Sequence, residues 1–252
     1  MKRFLLIALP LYMIGCSPEE RCYRDEDCAK PMVCSELGTC TYLCGDKKPC
    51  AKGFICMNHE CHIHHEGGIS CPDDMAAIAD SYCMDRYEAS RPDATASSAG
   101  TDSSRAMSRA GVIPWQVGGD NAAAQAACAA AGKRLCTAQE WEFACKGVNG
   151  TVYGYGNTYD PKICNGIDTF GNRTGFHVVP VGSFPNCNNG WGVYDMSGNV
   201  WEHTAGGSAK TVRGGAYNCS DSRTNHQCSY VPRTWNPAAL GFRCCADGEA
   251  KK

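Results

Sequence analysis

The sequence predicts a mixed α+β domain with much irregular structure, preceded by a small disulfide-rich module. Three observations lead there. Cysteine occurs 20 times in 252 residues, and the first eight after residue 20 fall into two short units of like design. Beyond about residue 69 only two helix signals can be read. Everything else there is Gly-rich and punctuated by turns, with short strands between.

The elements follow in order. Residues 1–16, "MKRFLLIALPLYMIGC", open with the cations Lys2 and Arg3 and continue as a short apolar run from Phe4 to Ile14. That is the form of a secretory signal, and no run in the chain is long enough to span a bilayer. Ile14-Gly15-Cys16-Ser17 resembles a bacterial lipobox, with Met13 where Leu is usual. Cleavage before Cys16 would leave its thiol to carry acyl chains, and several chains on one residue anchor a protein stably. Ordinary signal-peptide cleavage nearby is the alternative. The expected partner is thus a membrane, and the expected location the bacterial cell envelope. Ser17 stands where inner-membrane lipoproteins often carry Asp, which favours the outer membrane. With 24 Lys and Arg against 26 Asp and Glu, the chain lacks a basic footprint and no nucleic-acid partner is expected. So many cysteines in an exported chain imply disulfides and an oxidising compartment.

Residues 17–68 form the Cys-rich region. Cysteines stand at 22, 28, 34 and 40 in the first unit (22–40), and at 44, 50, 56 and 61 in the second (44–61). Neither unit has the apolar residues for a core, so bridges must hold it, each worth about 2–4 kcal/mol. Two bridges per unit are expected, with three pairings open in each. "HIHHEGG" follows, with His62, His64 and His65 preceded by His59. It reads as a solvated linker. A metal clip is the other reading, without a fixed-spacing partner to support it.

The main domain spans residues 69–248. "DNAAAQAACAAAG" predicts a helix stopped by Gly132, and "TAQEWEFACKG" a second helix with Thr137 and Glu140 as a capping box and Gly147 as its stop. Between them and the first strands lies "SRPDATASSAGTDSSRAMSRAG", which reads as a mobile insertion.

Five segments of this domain carry a family pattern: "YCMDRYEAS" (82–90), "CAAAGKRLCTAQEWEFAC" (128–145), "PVGSFPNCNNGWGVYDMSGNVWEHT" (180–204), "VRGGAYNC" (212–219) and "GFRCC" (241–245). Together they resemble the formylglycine-generating enzyme (sulfatase-modifying factor) family. The resemblance implies a C-type-lectin-like fold. Its enzymes oxidise the cysteine of a Cys-x-Pro-x-Arg peptide, using oxygen and copper(I) held by two cysteines. Here Cys219 falls at the first cysteine position and Trp201 at an active-site tryptophan. The second cysteine position is Thr224, an active-site serine is Ala216, and a tryptophan is His203. Copper(I) is soft and wants two thiolates. His226 and His203 are conceivable substitutes that no spacing demands.

The resemblance further implies the pairs Cys128–Cys244 and Cys145–Cys228. Each closes a loop of roughly a hundred residues, worth about 4.7 kcal/mol if taken alone. Seven cysteines of the domain then remain, an odd number, and Cys219 is the expected odd thiol; a bridged Cys219 with another thiol free stays open. It also implies a calcium site at Asp195, the Gly198 and Val200 carbonyls, and Glu202, which suits a hard cation with oxygen ligands. The alternative is a turn in which both carboxylates accept from backbone amides. A second calcium site would begin at Asn165 and the Gly166 carbonyl. The expected function is a non-catalytic surface binding or structural protein with a protein, peptide or glycan ligand, calcium as its ion. Trp191 and Trp235 are its candidate contacts unless they are core. The rival is a copper-dependent oxidase working through Cys219.

Overall fold

A computed structural model describes residues 33–34, 40–41, 44, 49–50, 52, 54–57, 60–171, 175–205 and 212–251. The expected signal segment, the lipidation at Cys16, and Cys22 and Cys28 lie outside the described residues. The chain divides into two compact units, Met1–Tyr42 and Leu43–Lys252. In the first, β1 (Val33–Cys34) pairs antiparallel with β2 (Cys40–Thr41).

The second unit opens with a hairpin, β3 (Phe54–Met57) and β4 (Glu60–Ile63). Bridges Cys44–Cys56 and Cys50–Cys61 clamp it, so the pairing here is first to third and second to fourth. The expected solvated linker is in part this β4. Its Gly68 turn is then fixed by the C-terminal end, with Lys251 N donating to Gly68 O at 3.0 Å.

The chain continues through β5 (Ile69–Ser70), β6 (Met75–Ile78) and β7 (Tyr82–Asp85). After helix α1 (Asn121–Ala130) come β8 (Arg134–Leu135) and helix α2 (Ala138–Lys146). The last elements are β9 (Trp201–His203), β10 (Val212–Arg213), the short α3 (Ser222–Asn225), β11 (Leu240–Phe242), β12 (Cys244–Asp247) and β13 (Glu249–Ala250). A four-stranded antiparallel sheet has the order β6-β7-β12-β8, and a three-stranded sheet the order β10-β9-β11 with β9 and β11 parallel. β5 pairs with β13, bringing the two ends of the domain together.

Both helices form where capping chemistry starts them. Asp120 accepts from Ala123 N at 3.0 Å, and Gly132 at φ +72° lets the chain leave α1. For α2 the capping box is complete: Thr137 Oγ1 accepts from Glu140 N, and Glu140 Oε2 accepts from Thr137 N. α2 delivers Trp141, Phe143 and Ala144 to a core with Ile78, Met84, Val193 and Met196. α1 delivers Ala124 and Ala127 to another with Trp115, Leu135 and Phe242.

Strand β12 separates these two cores and is bridged to both. Successive residues on a strand face opposite ways. Cys244 therefore bonds Cys128 of α1, while Cys245 bonds Cys136 at the start of the α2 side. Cys145–Cys228, Cys164–Cys187 and Cys71–Cys83 complete the set, and Cys128–Cys244 and Cys145–Cys228 are the two pairs the family pattern implies. Among the described residues Cys219 is the free cysteine.

The Ser- and Ala-rich loop is not the mobile insertion its composition suggests. Arg109 Nη2 donates to the carbonyls of Arg91, Pro92 and Ala94, at 3.1, 2.8 and 2.8 Å. Asp93 accepts from Thr101 N and Asp102 N, and Arg91 lies over the Trp115 ring at 4.6 Å. Side chains thus satisfy loop carbonyls and amides that would otherwise need water.

Candidate functional site

The domain holds two constellations, one built on a thiol and one on carboxylates. The first lies around β9, β10 and β11. Cys219 and Trp201 meet there in an apolar cluster with Val212, Ala216, Ala239 and Leu240, and Tyr217, Tyr230 and Trp235 pack on it. Trp235 is thus part of the packing, as is Trp191 against the α2 core. Cys219 is 6% exposed, and its Sγ accepts from Ala216 N at 3.0 Å. Burial pushes the thiol up to about 12, the behaviour of a structural cysteine rather than an activated one.

Among the described residues no second soft donor joins it. Cys228 is bonded to Cys145. Thr224 sits in α3, where its N–H donates to the N-cap Asp221 at 3.2 Å. The two conceivable imidazoles face backbone carbonyls instead: His203 Nε2 pairs with Gly118 O at 2.8 Å, and His226 Nε2 with Ala216 O at 3.3 Å. Burial holds both rings below the usual histidine range, His226 down to about 4. A copper(I) ion seeking two thiolates finds one buried thiol, with Thr224 at the second position, so these residues do not fit copper.

The second constellation is the turn 195–202 and the segment that crosses it at Asn165. Asp195 and Asn199 adopt left-handed backbone, φ +58° and +54°, with Gly198 at +94° between them. A Cβ at position 198 would collide with the Asn165 carbonyl oxygen, which is why a glycine is required there. Asn199 N donates to that same carbonyl at 2.9 Å. Asp195 Oδ2 accepts from Gly182 N at 2.7 Å.

Glu202, expected as the second carboxylate of a cation site, is engaged otherwise. Arg243 donates to both its oxygens, at 2.7 and 2.6 Å, and Trp141 Nε1 donates to Oε2 at 2.7 Å. Sequence reasoning missed Glu88, Asn199 and Arg243. Glu88 Oε1 accepts from Val200 N at 3.0 Å and Oε2 from Asn199 Nδ2 at 2.5 Å. Glu88 and Arg243 both stood inside the recognised segments. A charge that strands bury is the signal that could have marked them, but sequence does not show which charges those are.

The interior is left with unbalanced charge. Glu88, Asp195 and Glu202 are no more than 2% exposed and face one guanidinium, Arg243. Burial, then repulsion from Asp195 and Glu202, holds Glu88 well above the carboxylate range. Burial takes Asp195 up to about 7. Beside them Asn165, 1% exposed, has an Oδ1 without a hydrogen-bond partner among the described residues. An excess of buried carboxylate and an orphaned oxygen are what a hard, oxygen-seeking cation would satisfy. The residues fit calcium: Asp195 and the carbonyls of Gly198 and Val200 would hold an ion at the 195–202 turn, Asn165 and the Gly166 carbonyl would begin a second site, and the buried carboxylates would supply the charge.

The fold and both constellations define a sulfatase-modifying-factor type of domain. Residues 116–248 match the sulfatase-modifying factor enzyme 1-like domain, and the chain belongs to that family, with its C-type-lectin-like α+β fold. It is 38% identical over 148 residues to the inactive C-alpha-formylglycine-generating enzyme 2 of Mus musculus, covering 51% of this chain and 48% of that protein. To the formylglycine-generating enzyme of Mus musculus it is 32% identical over 157 residues, covering 49% and 42%. The chain thus spans about half the length of the curated relatives it matches. Among solved structures, PvdO from Pseudomonas aeruginosa matches with a TM-score of 0.42 and 22% identity, over 71% of this chain and 90% of that one.

Proposed function

We propose that this chain is an exported, lipid-anchored protein of the cell envelope whose formylglycine-generating-enzyme-like domain binds a ligand instead of oxidising one. Cys16 is its lipidated residue, and the outer membrane its location. One observation carries the non-catalytic reading: the thiol at the first active-site position is buried, which pushes it up to about 12, and the second position holds Thr224, tied into α3. The relative named as inactive supports the same reading. The ligand class is a protein, peptide or glycan. Calcium serves as a structural ion at the 195–202 turn, where buried Asp195 and Glu202 supply negative charge.

Oxygen uptake by the purified mature protein, with copper(I) and a Cys-x-Pro-x-Arg peptide, tests this. No copper-dependent uptake is expected. Iodoacetamide should label Cys219 slowly in the folded state, because a thiol at about 12 is thiolate to roughly one part in ten thousand at pH 8. Copper-dependent uptake that disappears in Cys219→Ser would establish the oxidase instead.

A further inference from the structure

We infer that Asn199 is a positioning residue that presents Asn165 Oδ1 to a cation and couples the 165–166 site to the 195–202 site. The inference rests on the calcium reading above. Its ground is a chain of side-chain amides whose orientations are fixed one by the next.

The chain starts at Asn199. Its Oδ1 accepts from Val179 N at 3.1 Å, so this end of the amide must be the oxygen. Its Nδ2 then faces acceptors, Glu88 Oε2 at 2.5 Å and Val179 O at 3.3 Å. With Oδ1 of Asn199 so placed, Asn165 must turn its own Nδ2 toward it, and that nitrogen donates at 2.9 Å. The same Nδ2 donates to His177 O, also at 2.9 Å. The reverse orientation would set an oxygen against two acceptors. Asn165 Oδ1 is therefore driven to the remaining side, where it meets no partner among the described residues. A buried acceptor left unmade is costly, and a water or an ion is what commonly completes one.

The same residue belongs to the other site. Asn199 lies between Gly198 and Val200, whose carbonyls are expected ligands, and its N–H holds the Asn165 carbonyl. Glu88 closes the loop by accepting from both Asn199 Nδ2 and Val200 N. An ion that settles the 195–202 turn thus settles Asn199, and with it the direction of Asn165 Oδ1. Loading one site lowers the ordering cost of the other, which is coupling between two binding events.

Asn199→Gly is the suitable variant, since glycine accepts the left-handed backbone at 199 and only the amide is lost. Terbium luminescence and calcium calorimetry on the full mature chain give the stoichiometry, with circular dichroism as the check on folding. For the wild type we expect two ions, the second bound at least about fivefold tighter once the first is in place. Asn199→Gly should lose one ion and the coupling, matching Asn165→Ala. Wild-type protein that binds neither ion overturns the calcium reading and this inference together. Asn199→Gly with both ions at wild-type affinity overturns the inference alone. So do wild-type sites that fill independently, a result that needs no variant to fold.

Discussion

At the scale of single residues, buried charge explains more of this domain than any motif does. Lys133 Nζ reaches Asp74 at 2.5 Å and Asp85 at 2.6 Å with its side chain 8% exposed. The lysine is served by two carboxylates and is raised, despite burial. Asp85 has that one cation plus the Cys244 amide, and burial still pushes it up to about 6. Because the folded value exceeds the unfolded one, Asp85 favours the native state below about pH 4 and loses that contribution as pH rises through 6. Lys133→Met should push Asp85 higher still and cost about 3–5 kcal/mol at pH 7. The loss should shrink toward pH 4, where Asp85 is protonated with or without the lysine. Urea unfolding at both pH values checks this, and a loss independent of pH would mean that packing of the lysine stem, not its charge, is what matters. Lys133 lay in plain view in "AGKRL", yet its partners are 48 and 59 residues away. Pairings of that range are set by strand order, which is why the sequence names the residue and not its role.

At the scale of elements, the two helices were legible and most strands were not, for a physical reason. A helix announces itself through local chemistry: the Asp120 and Thr137 caps and the glycines at 132 and 147 all act within four residues of what they cap. The strands run two to four residues, too short for a period of two to show against turns. The loop 91–109 fails in the opposite sense. Its composition says mobile, but three carbonyls converge on Arg109, a long-range fact that no composition carries. The α2 cap is the element-scale test. Thr137 also forms an isolated parallel bridge with Ala205, and Glu140 of the same box holds Arg134 by two hydrogen bonds, at 2.7 and 2.6 Å. Thr137→Ala should cost about 1 kcal/mol as a lost cap. Thr137→Ser, which keeps the acceptor, should recover most of it. Equal losses in both would assign the effect to the threonine methyl group instead.

At the scale of the whole molecule, the disulfides act as a group, and this changes what each is worth. Cys128–Cys244 closes a loop of 116 residues and Cys136–Cys245 one of 109. Taken singly, either would restrict the unfolded chain by nearly 5 kcal/mol in the entropic view. They are not single. Positions 128 and 136 are close in sequence, and 244 and 245 adjoin, so once one bridge exists the other closes only about nine further residues of chain. That smaller loop corresponds to roughly 2.5 kcal/mol. With both gone, Cys145–Cys228 still joins the same two regions, and the remaining closure spans about thirty residues, near 3.7 kcal/mol. Replacing either pair by alanines should therefore cost about 2.5 kcal/mol, and replacing both about 6, a little more than the sum. Denaturant midpoints of the two double variants and the quadruple variant measure this directly. A first removal that costs as much as the second would mean that strain or lost packing of buried sulfur sets the energies, not chain entropy. The distinction matters for the carboxylate turn. β12 carries both bridges, and Arg243, just before it, is the one guanidinium facing Glu88, Asp195 and Glu202. Slack in those bridges should loosen Arg243 first, so calcium affinity should fall in the quadruple variant and hold in either double one.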